Sequence, residues 1–348
     1  MLSGAGESFW APPHRFPSTE LSMARVLITG VSGQDGVLLA EQLLARGDTV
    51  VGTTRGDPME ARTKLSAESQ ALHLRELDLR DTHAVDSLIE EILPDQLYHL
   101  AAPAMPNLSW KLPVEATDAL CTAPARLLEA AMRHVPHAHL VFAGSCQVFG
   151  PDSHAPQNEQ TPFAPRTPYG AGKAFGAMLV ASFREGRSVH ASTALLFNHE
   201  SARRQSDYVT TKICRAAVRI AGGDRTATPL TLGVLDVVRD WGHARDHVDA
   251  MVRMADAATP DDYVIGTGVG RTVAEFCEAT FARLGLDWQA HVVVDANLAR
   301  AGDVPALVAD PRRAAAQLGW SPTTSFEALL DELLDAARVA LAVTAPRA

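Results

Sequence analysis

The 348-residue sequence predicts an α/β fold, a doubly wound parallel sheet with a smaller C-terminal domain. Three observations predict it. From Ala24 onward, short β-branched runs alternate with longer amphipathic stretches, which is the signature of βαβ units. A glycine-rich turn separates the first such run from the first amphipathic stretch. After about Asn198 the alternation gives way to shorter elements between loops rich in Gly, Pro and Arg.

The elements follow in order. Arg25-Val-Leu-Ile-Thr29 is a buried strand by its continuous apolar run, and Val37 to Arg46 is a helix closed by Gly47, a residue suited to a C-cap. Thr49 to Thr53 and Leu72 to Leu77 are the second and third strands, Thr82 to Leu93 a helix, and Gln96 to Leu100 the fourth strand. Ala116 to His134 is a long helix, His139 to Ala143 a strand, Tyr169 to Arg184 a helix and Ser188 to Phe197 a strand. Two later helices fall near Thr272 to Leu284 and Ser325 to Val343. Residues 1–22 read as a disordered extension or a misassigned start, with Met23 opening the fold. Residues 23–198 form a dinucleotide-binding domain, and 199–348 are mainly substrate-binding, with 199–250 shared between the two.

Composition excludes several classes. The chain is 47% hydrophobic and 21% charged, with a net charge of -10 and no Lys/Arg-rich run, which argues against nucleic acid or an anionic membrane as partner. No apolar run reaches the ~20 residues of a membrane span. Cys121, Cys146, Cys214 and Cys277 are scattered without a CxxC pair, which suits reduced thiols in a cytoplasm and neither a zinc site nor a disulfide frame.

Gly30-Val-Ser-Gly33-Gln-Asp-Gly36 lies between the first strand and the first helix. Glycines there allow a tight turn and bring backbone N–H groups to a pyrophosphate at a helix N-terminus. Gly30, Ser32, Gly33, Gln34, Asp35 and Gly36 are therefore assigned to the cofactor. The second strand ends Gly52-Thr-Thr-Arg55-Gly-Asp57. An acidic residue at that end selects NAD, and an arginine nearby accommodates the extra phosphate of NADP. Arg55 favours NADP, while Asp57 could swing in and keeps NAD open. Asp78, after the third strand, is placed to meet the adenine, with Leu79, Leu100, Ala101 and Ala102 also counted as cofactor contacts.

Tyr169-Gly-Ala-Gly-Lys173 is the main catalytic signal. The i, i+4 spacing puts phenol and ammonium on one helix face. The ammonium is expected to lower the phenol's pKa, so that Tyr169 removes a hydroxyl proton as hydride leaves. Both residues are also expected at the cofactor, and Ser145, ending the preceding strand, is the expected hydroxyl partner.

With these residues in place the sequence resembles the GDP-mannose 4,6-dehydratase family, of the extended short-chain dehydrogenase type. The resemblance is carried by Gly30 to Gly36, Ser145, Thr161 to Lys173, Phe197-Asn-His-Glu-Ser201 and Arg239-Asp-Trp-Gly-His-Ala-Arg-Asp246, with the stretch Asn198 to Lys212 especially specific. It implies a Rossmann domain, a bound NADP and a nucleotide sugar oxidised at C4. It also implies that Asn198, Lys212, Arg239 and Arg300 grip the diphosphate, with Asp303 near the ribose and Ser109 at the substrate. Cations of this kind suit a diphosphate.

The departures are informative. The family carries Thr-Ser-Glu where this chain has Ser145-Cys-Gln147, and the resemblance makes that glutamate the acid and base of elimination. Gln147 is assigned to the site but cannot take up a proton at neutral pH, so elimination should be crippled while C4 oxidation survives. Met105-Pro106 replaces a His-Val pair beside the sugar. The segment between Arg55 and Leu72 is shorter than the family's tetramer-contact loop, which leaves homodimer and homotetramer equally open. His243 and His247 are i, i+4 but have no third ligand, so no metal is expected.

The expectation is a 4-epimerase of a manno-configured GDP- or ADP-sugar, hexose or heptose. A 4,6-dehydratase with another group in place of the glutamate and a 4-dehydrogenase are the enzymatic alternatives. A cofactor-binding scaffold is the non-enzymatic one, and the presence of Ser145, Tyr169 and Lys173 together argues against it.

Overall fold

Val26, Leu27 and Ile28 have no exposed surface, and the strand they form lies inside the main sheet with a partner on each side. The computed structural model describes residues 23–63, 65, 69–102, 106–223, 229–299 and 302–344. Arg300 and Met105 lie outside the described residues. The first half runs β1 (Arg25–Thr29), α1 (Gln34–Arg46), β2 (Thr49–Thr54), α2 (Pro58–Arg62), β3 (His73–Glu76), α3 (Thr82–Ile92) and β4 (Gln96–His99). It continues through α4 (Pro106–Lys111), α5 (Pro113–Thr117), α6 (Ala123–His134), β5 (His139–Ala143), α7 (Pro168–Arg187) and β6 (Ala191–Leu196).

Boundaries moved for physical reasons. α1 begins three residues earlier than the apolar periodicity suggests, so Gln34, Asp35 and Gly36 form its first turn, and Gly47 closes it at φ 97°. The long helix expected from Ala116 starts at Pro113 and is interrupted by a π-turn, Asp118–Thr122. Pro124 lacks the N–H that an unbroken α-helix would bond to Leu120, and the wider turn just before it relieves that conflict. Ser188, expected to open a strand, is the left-handed C-cap of α7 at φ 54°, and the strand starts at Ala191.

The second half runs β7 (Asn198–Glu200), α8 (Val209–Ala221), β8 (Leu230–Leu232), β9 (Val238–His243), α9 (Ala244–Asp256), β10 (Tyr263–Ile265), β11 (Gly270–Thr272), α10 (Val273–Ala282), β12 (Val292–Val294), β13 (Ala306–Leu307), α11 (Arg312–Leu318) and α12 (Phe326–Thr344).

Among the described residues the main sheet has seven strands in the order β10-β6-β5-β4-β1-β2-β3, all parallel. This is a Rossmann-type sheet. Helices α1 and α9 cover one face through Leu39, Leu43, Val248 and Met251, and α3, α6 and α7 cover the other through Leu88, Leu127 and Val180. Each such leucine contributes about 1.5–3 kcal/mol by leaving water. Strand order reverses between β1 and β4, and in sheets of this kind ligands bind at the carboxyl ends of the strands beside that switch.

A smaller sheet pairs β9 with β7, β11 and β13. Buried Asp240 ties it together, accepting from the Thr267 hydroxyl at 2.6 Å and from the amides of Thr267, Gly268 and Ala309 at 2.8–3.1 Å. Behind it, α8, α10 and α12 enclose a second core around Phe276, Phe281 and Leu330. No helix among the described residues is long and apolar enough to cross a membrane.

Candidate active site

The glycine turn forms one wall of a cleft of about 750 Å³ at the carboxyl ends of β1, β2 and β4. Gly30 stands at φ +77°, and a Cβ there would lie 2.7 Å from the Ala101 backbone. A Cβ on Gly36 would lie 2.5 Å from the Gly30 carbonyl, so the turn and the helix can close on each other only as glycines. Gly33 is the N-cap of α1 and offers no side chain to the first amides, which leaves them for a ligand. Gly30, Ser32, Arg55, Asp78, Leu79, Ala101, Ala102 and Ser109 line this cleft. Its shape, its backbone approach and its open helix end fit a dinucleotide.

The adenosine end is more engaged than expected. Asp57 caps α2 by accepting the Met59 amide at 2.8 Å. Asp78 is held by Arg80 through contacts of 2.5–3.0 Å, which keep its carboxyl down at about 2.

A second pocket of about 160 Å³ adjoins the first, with Ala102 lining both. It brings together Ser145, Gln147, Tyr169, Lys173, Leu100, Asp35 and Asn198. Ser145 follows β5 and plays two parts: its hydroxyl accepts the Gln147 amide at 3.3 Å and is hydrogen-bonded to Tyr169. Tyr169 sits in the first turn of α7, capped by Thr167, and its amide donates to Ser109 Oγ at 3.0 Å. Lys173 lies one turn later, its Nζ donating to the Ala143 carbonyl at 2.5 Å and lying 6.0 Å from the Tyr169 ring centre.

One expectation is corrected here. Burial raises the Tyr169 phenol above its ordinary value, with the Ser145 hydrogen bond acting the other way. The ammonium expected to lower it is turned to a backbone carbonyl, and burial brings Lys173 itself down to about 8. Desolvation outweighs the i, i+4 attraction at this site. Cys146 lines the same pocket, but burial pushes its thiol up to about 12, so it is an inert wall.

The residues expected at a nucleotide diphosphate come from several elements. Asn198 opens β7 and points an unpartnered, buried Oδ1 in the wall of the second pocket. Lys212 is exposed on α8. Arg239 and Asp303 pair with each other at 2.5 Å, and Arg239 also donates to the Val304 carbonyl at 2.8 Å. His243 donates to Glu332 at 2.9 Å, and His247 stacks on His199 at 4.5 Å, so the two histidines face different partners.

Gln34 and Asp35, assigned to the cofactor by the glycine motif, turn their side chains to the segment after β6. Gln34 Nε2 donates to the His199 carbonyl at 3.2 Å, the Ser201 hydroxyl donates to Gln34 at 2.9 Å, and His199 Nε2 meets Asp35 at 3.0 Å. Within the specific stretch Asn198 to Lys212, the sequence pattern assigns no role to Glu200, Arg204 or Tyr208. Buried Glu200 accepts the Thr210 hydroxyl and pairs with Arg204, each at 3.0 Å. The Arg204 guanidinium lies 3.6 Å over the Tyr208 ring, and all three residues line the pocket with Gln147 and Tyr169. The i, i+4 spacing of Arg204 and Tyr208 is the available signal, obscured because the chain from Ser201 to Tyr208 is a loop of two tight turns rather than a helix.

Comparisons with known proteins agree with this geometry. A family profile described as GDP-mannose 4,6 dehydratase matches residues 27–333. GDP-mannose 4,6 dehydratase 2 of Arabidopsis thaliana is 37% identical over 342 residues, covering 94% of this chain and 90% of that protein. Among solved structures, MoeE5 in complex with UDP-glucuronic acid and NAD superposes with a TM-score of 0.79 at 25% identity, covering 90% of this chain and 99% of MoeE5. The UDP-glucose 4-epimerase of Thermotoga maritima gives a TM-score of 0.81 at 21% identity, covering 91% of this chain and 99% of that one, a likeness of fold.

Proposed function

The chain belongs to the GDP-mannose 4,6-dehydratase family of short-chain-type nucleotide-sugar enzymes, and on that premise we propose that it oxidises a nucleotide sugar at C4 and returns the hydride to the opposite face. The reading is a 4-epimerase of a manno-configured GDP- or ADP-sugar. The observation that carries it is Gln147, an amide half-buried beside Ser145 and Tyr169, where elimination needs a group that takes up a proton.

A bound nicotinamide dinucleotide supplies the acceptor and later the donor of the hydride. Gly30, Ser32, Ala101 and the first turn of α1 would hold it. NADP is the form supported, because Arg55 lines the cleft and Asp57, which lines it too, has one carboxylate oxygen engaged in capping α2. Tyr169 takes the O4 proton and Ser145 holds the same hydroxyl, while Lys173, one helical turn away and bonded to the Ala143 carbonyl, favours the phenolate by a charge too small to outweigh the phenol's burial by itself. Asn198 Oδ1 requires a donor, and a sugar hydroxyl provides one. Exposed apolar side chains on and between α4, α5 and α7, Trp110, Leu112, Val114, Phe175 and Met178, support a homo-oligomer, dimer or tetramer.

A second reading is favoured by one observation. Tyr208, lying under Arg204 in the same pocket, is a hydroxyl that could stand in for the missing carboxylate, which would make the chain a 4,6-dehydratase. The experiment is the mass of the product formed from manno-configured nucleotide sugars. Unchanged mass with a new retention time supports the epimerase, and loss of one water supports the dehydratase.

A further inference from the structure

We propose that Asp35 is a positioning residue for Lys173: paired with a protonated His199, it fixes both the segment Asn198–Arg204 and the charge that the ammonium faces.

His199 must carry both ring protons. Its Nδ1 lies 2.7 Å from the Phe197 carbonyl and its Nε2 lies 3.0 Å from Asp35 Oδ2, so both partners are acceptors. Burial works against its charge, but Asp35 raises it above its ordinary value. Burial alone would lift Asp35, yet the charge and hydrogen bond of His199 hold its carboxyl well below the usual carboxylate range. The pair is therefore an internal salt bridge between the first turn of α1 and the start of β7. Such a pair survives burial only where its remaining hydrogen bonds are met, and here Gln34 donates to Asp35 at 3.1 Å.

The pair does not stand alone. Asp35 shares the small pocket with Lys173 of α7 and Arg204 of the following loop. Its charge supports that of Lys173, against the desolvation that otherwise lowers it. His247 of α9 stacks on His199 and donates from Nδ1 to the His243 carbonyl; burial and the His199 cation push it well below its ordinary value, so it stays neutral. Neutral His99 of β4 and the Tyr169 phenol of α7 are the further titratable groups beside Lys173. Among the described residues of this pocket, Asp35 is thus the carboxylate that acts on Lys173, while Glu200 is taken up by Arg204 and Thr210. The Gln-Asp pair inside the glycine turn has a task separate from cradling a phosphate.

The inference rests on Lys173 acting charged in C4 oxidation, and its test has one arm that does not. Holoenzyme turnover is followed from pH 6 to 10 for wild type, Asp35→Asn and His199→Gln. Removing the anion should move the alkaline limb acidward by about 0.5–1 unit even though the His199 charge is lost with it, because Asp35 is the charge that acts on Lys173, whereas removing the cation and leaving the anion should move it the other way. Opposite shifts support the assignment. Equal shifts, or lower rates with an unmoved profile, would mean a purely structural clamp and overturn it. In the second arm, ¹⁵N-histidine NMR identifies His199 by its loss in His199→Gln. Its ring should stay doubly protonated at pH 7 in wild type and be neutral there in Asp35→Asn. A neutral His199 in wild type refutes the pair even if no turnover is found with any nucleotide sugar, an outcome that would count against the C4 reading alone.

Discussion

The guanidinium of Arg204 lies over the ring of Tyr208 at 3.6 Å, and this pair lines the same pocket as Gln147 and Tyr169. A cation over a ring needs the aromatic face, not the hydroxyl. Tyr208→Phe should therefore keep Arg204 in place and change turnover less than about threefold, while Tyr208→Ala should cost about tenfold or more as the guanidinium loses ~1–2 kcal/mol of support. Steady-state kinetics of both variants check this. If Tyr208→Phe is as inactive as Tyr169→Phe, the hydroxyl moves protons and the dehydratase reading gains.

Gln147→Glu restores a proton-accepting group beside Ser145 and Tyr169. The variant should form a product lighter by one water, which the parent does not form. The product's mass spectrum decides it. Absence of any such product would mean that the pocket differs from a dehydratase elsewhere too.

Arg239 bridges Asp303 and the Val304 carbonyl from a buried position. Arg239→Ala leaves the Asp303 carboxylate without its partner and should lower stability by about 3 kcal/mol. It should also raise the KM for the nucleotide sugar at least about tenfold, with cofactor affinity changed less than about twofold. Urea melts and separate titrations of the two ligands measure this. A reversed pattern would assign Arg239 to the cofactor.

Much of the first half was legible because its signals are local. Val26 to Ile28 and Leu140 to Ala143 are continuous apolar runs, and the strands they form have the limits their sequence implies. Tyr169 and Lys173 were legible because a helix fixes their spacing. The second half resisted because its strands are two to six residues long and held by side chains distant in sequence, as Asp240 holds the loops at Thr267 and Ala309. Tyr263–Ile265 completes the edge of the main sheet beside β6, a pairing across about seventy residues that no local pattern announces. Gln34 and Asp35 were read as cofactor contacts from the turn they occupy, since nothing local shows that their side chains reach His199 and Ser201.

Acid stability carries the mark of Glu332, which accepts His243 at 2.9 Å and the Ala202 amide at 2.9 Å. The His243 hydrogen bond holds its carboxyl down at about 2, below the ordinary value of 4.5. A lowered folded pKa contributes stability that is present above the unfolded value and is lost as pH falls through the folded one. Wild type should therefore lose this contribution between pH 4.5 and about 2. Glu332→Gln should unfold at lower urea than wild type at pH 6, with the gap narrowing steadily at pH 4 and pH 3. A gap independent of pH would show that the contact contributes by shape alone.

The central claim is that Gln147 leaves C4 chemistry intact and elimination disabled. Its most direct measurement is the mass and retention time of the product after incubating the purified enzyme with GDP- and ADP-linked manno-configured sugars. The account predicts a product of unchanged mass and shifted retention, lost in Tyr169→Phe. A product that has lost one water would contradict it.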